Sequence, residues 1–192
     1  MRKAKVYLAL LHYPMYNKRQ DIITTSVTNL DLHDISRVAR TFNVDGFFVV
    51  HPSASQQELI QKIVGFWQDG YGGEYNPDRK EAFSILRTVA NLEEAVNLIR
   101  EETGQEVLTV ATDAGNYPNS VTYQDLKGIM FNEEKVFLVL FGTGFGMKSK
   151  LVENCDYILQ PVIGGGDYNH LSVRSAVSII VDRLLGEFWY NQ

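Results

Sequence analysis

The sequence predicts an α/β fold: a mainly parallel sheet flanked by helices, within a single domain spanning residues 1–192. Three observations carry this reading. Short, nearly continuous apolar runs recur along the chain, as strands covered on both faces do. Segments with helical apolar spacing alternate with them, the pattern of a parallel sheet with crossover helices. Two of the apolar runs open directly into glycine-rich turns. At 192 residues, 45% hydrophobic and 21% charged, the chain can bury one sizeable core.

Val6–Leu11 is the first strand, and Leu32, Ile35, Val38, Ala39 and Phe42 then mark one face of a helix. Gly46–Val50 is the second strand. Ser55-x-x-Glu58 reads as a capping box opening a helix whose apolar face is Leu59, Ile60, Ile63, Val64 and Trp67. Gln68–Arg79, QDGYGGEYNPDR, reads as the longest loop, either a lid or a solvated connection. Ile85–Ala90 is a weaker strand. Asn91-x-x-Glu94 caps the helix of Leu92, Ala95, Val96 and Ile99, and Gly104 ends it. Strands at Val107–Ala111, Val136–Phe141 and Tyr157–Ile163 follow. Val173, Ala176, Val177, Ile180, Val181, Leu184 and Leu185 form the wide apolar stripe of a last helix, which Gly186 stops.

The run KVFLVLFGTGFGM, Lys135 to Met147, leads a buried strand into Gly142, Gly144 and Gly146. Glycine at alternate positions lets peptide N–H and C=O groups approach a ligand where a side chain would block them. An ordinary tight turn would use the same residues. A second run, YILQPVI, opens into Gly164-Gly165-Gly166 before the last helix, and two such exits so close in sequence suggest one shared pocket.

Several chemistries fit poorly. Met147 stands where a dinucleotide fingerprint needs its third glycine, and no acidic residue follows at ribose-binding spacing, so a Rossmann-like nucleotide enzyme rests on the glycines alone. Lys148-Ser149 does not complete a phosphate loop. His12, His33, His51 and His170 are dispersed without ligand spacing, so no metal is expected. No GxSxG elbow is present. The single cysteine, Cys155, can form no internal disulfide and fits a reducing compartment. No run has the length of a signal peptide core or a membrane span, so a cytoplasmic protein is expected. A net charge of -5 confines any nucleic-acid contact to a local basic patch.

Three separated stretches resemble the SPOUT superfamily of S-adenosylmethionine-dependent RNA methyltransferases. NLDLHDISRVARTFNVDGFFVV, Asn29 to Val50, is similar to that superfamily's N-terminal motif, with Arg37 at the arginine position. LVLFGTGFGM and ILQPVIGGGDYNHLSVRSAVSII are similar to its two C-terminal motifs. More narrowly, the chain resembles a small bacterial subfamily that stands alone or is fused behind a tRNA guanine-N1 methyltransferase. It departs from the ribose-methylating members at Asp31 and His170, where they carry asparagine, and at Arg174, which replaces a small residue.

The resemblance implies a C-terminal trefoil knot, an S-adenosyl-L-methionine cofactor, an RNA substrate (tRNA or rRNA), and a homodimer whose active site is completed by the second subunit. For the cofactor it implies one wall from Leu140, Gly142, Gly144 and Gly146 and another from Gln160, Pro161, Val162, Ile163 and Gly164. Leu171, Ser172 and Val173 would form the floor, with Thr112 and Asp113 closing the first loop. A non-catalytic cofactor- or RNA-binding module of the same fold is the alternative, suggested by the three departures. Arg37 suits positioning, because a guanidinium does not give up its proton readily. Asp167 and His170 are the candidate bases, with Asp31 next. Arg2, Lys3, Lys5, Lys18, Arg19, Arg37 and Arg40 could form a basic face, with Tyr13 and Tyr16 for base stacking. The width of the last helix's stripe, with Phe188-Trp189-Tyr190, points to a dimer contact.

Overall fold

A computed structural model describes residues 2–187. In chain order the elements are β1 (Lys5–Leu11), β2 (Met15–Tyr16), β3 (Ile22–Ile23), α1 (Asn29–Thr41), β4 (Gly46–Val50), α2 (Ala54–Gln68), α3 (Tyr71–Tyr75) and α4 (Pro77–Phe83). There follow β5 (Leu86–Val89), α5 (Leu92–Thr103), β6 (Val107–Thr112), α6 (Tyr123–Asn132), β7 (Val136–Gly142), α7 (Ser149–Glu153), β8 (Tyr157–Leu159) and α8 (Val173–Leu185).

The six longer strands form one sheet of order β5-β4-β1-β7-β6-β8, every pair parallel. β2 and β3 pair separately as an antiparallel hairpin. Alternate residues of each strand go to opposite faces. Val6, Leu8, Leu10, Phe47, Val49, Phe137, Val139 and Phe141 share a core with Leu32, Ile35, Leu126, Val177, Ile180 and Leu184 of α1, α6 and α8. Tyr7, Ala9, Leu11, Phe48, Val50, Leu138 and Leu140 face Ala95 and Ile99 of α5 and Val152 of α7. Both faces are covered, which is why the strands read as apolar runs. Each fully buried leucine or phenylalanine contributes about 1.5–3 kcal/mol relative to exposure.

Most of the expected caps are in place. Asn91 accepts from Glu94 N–H at 2.9 Å while the Glu94 carboxylate accepts from Ala90 N–H at 2.7 Å, and Gly104 closes α5 at φ +66°. Ser172 caps α8 by accepting from Ser175 N–H at 3.3 Å. Gly186 ends that helix for a different reason than left-handed backbone: a Cβ there would lie 2.5 Å from Asp182 O.

Four expectations are corrected. Ser55 lies inside α2, whose N-cap is Ser53, so Ser55-x-x-Glu58 is not its capping box. The segment expected as a loop from Gln68 to Arg79 is largely helical. Its glycines serve close packing, since a Cβ on Gly73 would stand 2.4 Å from Trp67 O, while Asn76 caps α4 and Pro77 takes its first turn. The strand expected through Ile163 ends at Leu159, with Gln160 N–H already turned to Val121 O at 3.0 Å. The apolar stripe of α8 is spent within the chain: Val177, Ile180, Val181 and Leu184 are buried, and its exposed side is Ser175, Ser178, Asp182 and Arg183. The stripe's width therefore does not argue for a dimer, and Phe188-Trp189-Tyr190 lies outside the described residues.

Candidate active site

The carboxyl ends of β6 and β7 and the segment between β8 and α8 enclose a cavity of about 720 Å³. Open parallel sheets bind ligands at this edge, where successive connections diverge. From β7 come Phe141 to Met147, from the end of β6 Thr112 to Ala114, and from the approach to α8 Val162 and Asn169 to Val173. Thr25, Ser26, Thr28 and Asp31 close the side next to α1, and Ala176 and Ile180 of α8 lie beneath.

The glycine loop after β7 has a backbone that only some residues tolerate. Gly144 is at φ +62° and Gly146 at φ +100°. At Gly142 the φ is not left-handed, but a Cβ would meet Met147 Cγ at 2.6 Å. The loop is stitched to the segment before the β2–β3 hairpin and to its first strand: Tyr16 N–H donates to Gly146 O at 2.9 Å, Phe145 N–H to Tyr16 O at 3.1 Å, and Lys148 N–H to Pro14 O at 3.0 Å. Tyr13-Pro14 is a cis peptide.

Thr143 ties this loop to the core through a directed chain of hydrogen bonds. Its hydroxyl donates to Leu11 O at 3.0 Å, so its oxygen accepts from Thr25 Oγ1 at 2.5 Å, whose oxygen in turn accepts from His12 Nδ1–H at 2.9 Å. His12 is fully buried and its Nε2 has no hydrogen-bond partner among the described residues. Burial, and secondarily the neighbouring His51, lower its pKa to about 4, so the ring is neutral near neutral pH. The two imidazoles are 5.2 Å apart. His51 Nδ1 accepts from Ser53 N–H at 3.1 Å, which leaves its Nε2–H to donate to Thr25 O at 3.0 Å. Both histidines are therefore braces behind the cavity.

Of the residues singled out by the sequence, Asp31, Thr112, Asp113, Gly142, Gly144, Gly146, Val162, Leu171, Ser172, Val173 and His170 line this cavity. Thr112 donates to Leu140 O at 2.8 Å, and the Asp113 carboxylate accepts from Gly115 N–H at 2.7 Å. Leu140 is buried in the sheet, and Gln160, Pro161, Ile163, Gly164 and Asp167 do not line the cavity. Nothing lies within 4 Å of a Cβ placed on Gly164.

Arg37 lines a separate groove between α1 and α8 with Asp34, Thr41, Ser172, Arg174 and Ser178. Of the basic residues, Arg2 is held by Asp45 at 2.7 Å and Arg40 by Glu81 at 2.5 Å, so neither offers a free charge. Sequence reasoning missed Thr25, Thr143 and Asn169. Thr143 sits within the glycine motif, but only the fold brings Thr25 and His12 to it.

The geometry suits a donor with an apolar aromatic part and polar ends. Phe141, Met147, Val162 and Ile180 offer apolar wall, while the left-handed glycines expose backbone groups. The volume falls within the usual range of small-molecule sites, about 300–1,000 Å³. A parallel α/β sheet with such a cavity at its carboxyl edge defines a small-molecule-binding α/β protein.

Comparison with known proteins narrows that class. A family model described as SAM-dependent RNA methyltransferase matches residues 5–186, and the chain belongs to that family, whose cofactor is S-adenosylmethionine. It is 42% identical over 184 residues to an uncharacterized protein of Aquifex aeolicus, covering 96% of this chain and 90% of that one. It is also 40% identical over 182 residues to a tRNA (guanine-N(1)-)-methyltransferase of Oleidesulfovibrio alaskensis, covering 95% of this chain but 42% of that protein. The chain thus spans less than half the length of that relative. In fold it is similar to the SpoU methyltransferase AviRb of Streptomyces viridochromogenes in complex with AdoMet, at TM-score 0.58 and 15% identity, covering 96% of this chain and 60% of that one. The A. aeolicus TrmH/SpoU tRNA modifying enzyme gives TM-score 0.57 and 14% identity, covering 96% of this chain and 75% of that one.

Proposed function

We propose that the chain holds S-adenosylmethionine in the glycine-lined cavity and methylates tRNA or rRNA. The observation that carries the reading is the meeting, in one cavity, of the left-handed Gly144–Gly146 loop with the Ser172-capped start of α8. The bound donor would supply a methyl group on a sulfonium, ready for in-line displacement. The chain's own work is then to bind, to orient and to take up a proton. Backbone groups of Gly142, Gly144 and Gly146 would hold the nucleoside part, with Thr112, Val162, Leu171 and Val173 around it. Asp113, whose carboxylate lies toward Gly146, would face the donor's positive end.

His170 is exposed at the cavity and suits contact with the incoming nucleotide. Arg37 suits an RNA phosphate, and in one chain it opens onto the neighbouring groove. A homodimer that brings a partner's Arg37 to the donor belongs to this reading, as does the C-terminal knot implied by the SPOUT resemblance. Among the described residues no helix is long and apolar enough to cross a membrane, and Cys155 is free. Both suit a place in the cytoplasm beside its RNA.

Titration calorimetry tests the cofactor assignment. Saturable binding of S-adenosylmethionine, with none of NAD, is expected. Binding of NAD with no heat from the methyl donor would overturn it.

A further inference from the structure

Two departures from the ribose-methylating pattern, Asp31 and Arg174, are partners in the fold. Asp31 sits in the first turn of α1, directly behind its Thr28 cap, and Arg174 in the first turn of α8. Arg174 Nε lies 3.2 Å from Asp31 Oδ1, and its Nη1 lies 3.0 Å from Asp34 Oδ2. One guanidinium thus fixes two carboxylates across the α1–α8 seam. Asp31 is more than nine-tenths buried, yet it lines the cavity. Its Oδ2 accepts no hydrogen bond from any described residue.

The cavity's other carboxylate, Asp113, accepts from Gly115 N–H through Oδ1 while its Oδ2 lies toward Gly146, on the wall assigned above to the donor's positive end, and no lysine or arginine is among the residues lining the cavity. A carboxylate held by Arg174 through one oxygen, with its other oxygen free and no further basic side chain on the cavity wall, is an acceptor for a proton on an uncharged substrate group. A ring N–H of guanine or uracil is a far stronger acid than a ribose hydroxyl, so a carboxylate is matched to the first and not to the second.

We propose that Asp31 is the catalytic base, that Arg174 is the residue positioning it, and that the substrate atom is a ring nitrogen of a nucleobase. This rests on the methyltransferase reading above. As the nitrogen's electron pair forms its bond to the methyl carbon, the carbon–sulfur bond breaks and its pair stays on sulfur, leaving a neutral thioether. The ring proton passes to Asp31 Oδ2, so the step balances without any further reactant.

Asp31→Asn keeps the size and an oxygen for Arg174 but cannot take the proton. The test measures four things on the full chain: the methylated nucleoside by mass spectrometry, single-turnover transfer rate, donor affinity and RNA affinity. Expected are a base-methylated nucleoside, a rate at least about 100-fold lower in Asp31→Asn, and both affinities within about threefold of wild type. Arg174→Gln should slow transfer about tenfold, and the double variant should be no slower than Asp31→Asn alone, because Arg174 acts through Asp31. A thermal melt of each variant separates misfolding from lost chemistry, and Arg174→Lys, which keeps the charge, should restore part of the rate.

A 2′-O-methylated product, an Asp31→Asn rate near wild type, or a further loss on adding Arg174→Gln to Asp31→Asn would overturn the assignment and leave the methyltransferase reading standing. Donor binding with no transfer to any RNA would overturn both.

Discussion

Replacing Gly144 by alanine is expected to weaken S-adenosylmethionine binding strongly without unfolding the protein. At φ +62° an added Cβ strains the backbone, and it would stand 3.2 Å from both Thr25 Cγ2 and Tyr16 O. Left-handed backbone costs a non-glycine residue about 1–2 kcal/mol, and crowding against a carbonyl that cannot retreat adds about 1 kcal/mol. Tyr16 cannot give easily, since its N–H and C=O are both bonded to the same loop. The loop relaxes instead to another conformation, and the fraction competent to bind falls. A total of about 2–3 kcal/mol corresponds to a roughly 30- to 150-fold rise in the dissociation constant. Titration calorimetry of wild type and Gly144→Ala measures it. An affinity within threefold of wild type would refute the claim that this backbone shapes the donor site.

Gly164→Ala serves as the contrast: its Cβ meets nothing within 4 Å and the residue does not line the cavity, so donor affinity within twofold of wild type is expected by the same calorimetry. Arg37→Ala should lower RNA methylation by about 100-fold through misplacement of the RNA while leaving donor affinity unchanged, because Arg37 opens onto the groove beyond the cavity; loss of donor binding in a folded variant would contradict this. Light scattering should give twice 21.8 kDa if the partner's Arg37 completes the site, and a fully active monomer would refute that arrangement. Stability should fall as pH drops from about 6.5 toward 4, since the unfolded His12 takes up a proton over that window and the buried ring does not. The full shift corresponds to about 3 kcal/mol, His51 and His33 act in the same direction, and His12→Gln should flatten the dependence of melting temperature on pH.

The sheet was readable because its strands are buried on both faces, which makes an apolar run hard to mistake. Val6–Leu11 and Gly46–Val50 needed no partner to be recognised. Glycine was harder, because it marks three different needs here. Gly144 and Gly146 supply left-handed backbone, Gly73 and Gly186 supply close approach within helical packing, and Gly164 to Gly166 supply neither within the described fold. Residue type alone cannot separate these, so the 68–79 segment read as a loop and Gly164 read as cavity wall. Thr25 and His12 carried no sequence signal toward the site, because Thr25 reaches Thr143 across 118 residues and His12 reaches it only through Thr25. Asp31 and Arg174 stood out singly as departures, and the α1–α8 packing made them one device.

Transfer of a labelled methyl group from S-adenosylmethionine to total RNA by the purified chain is the most direct trial of the account. Label is expected in RNA, concentrated in one base-methylated nucleoside and falling with donor affinity in the Gly144→Ala protein. Saturable donor binding with no label in any RNA would contradict it and leave a binding module in place of an enzyme.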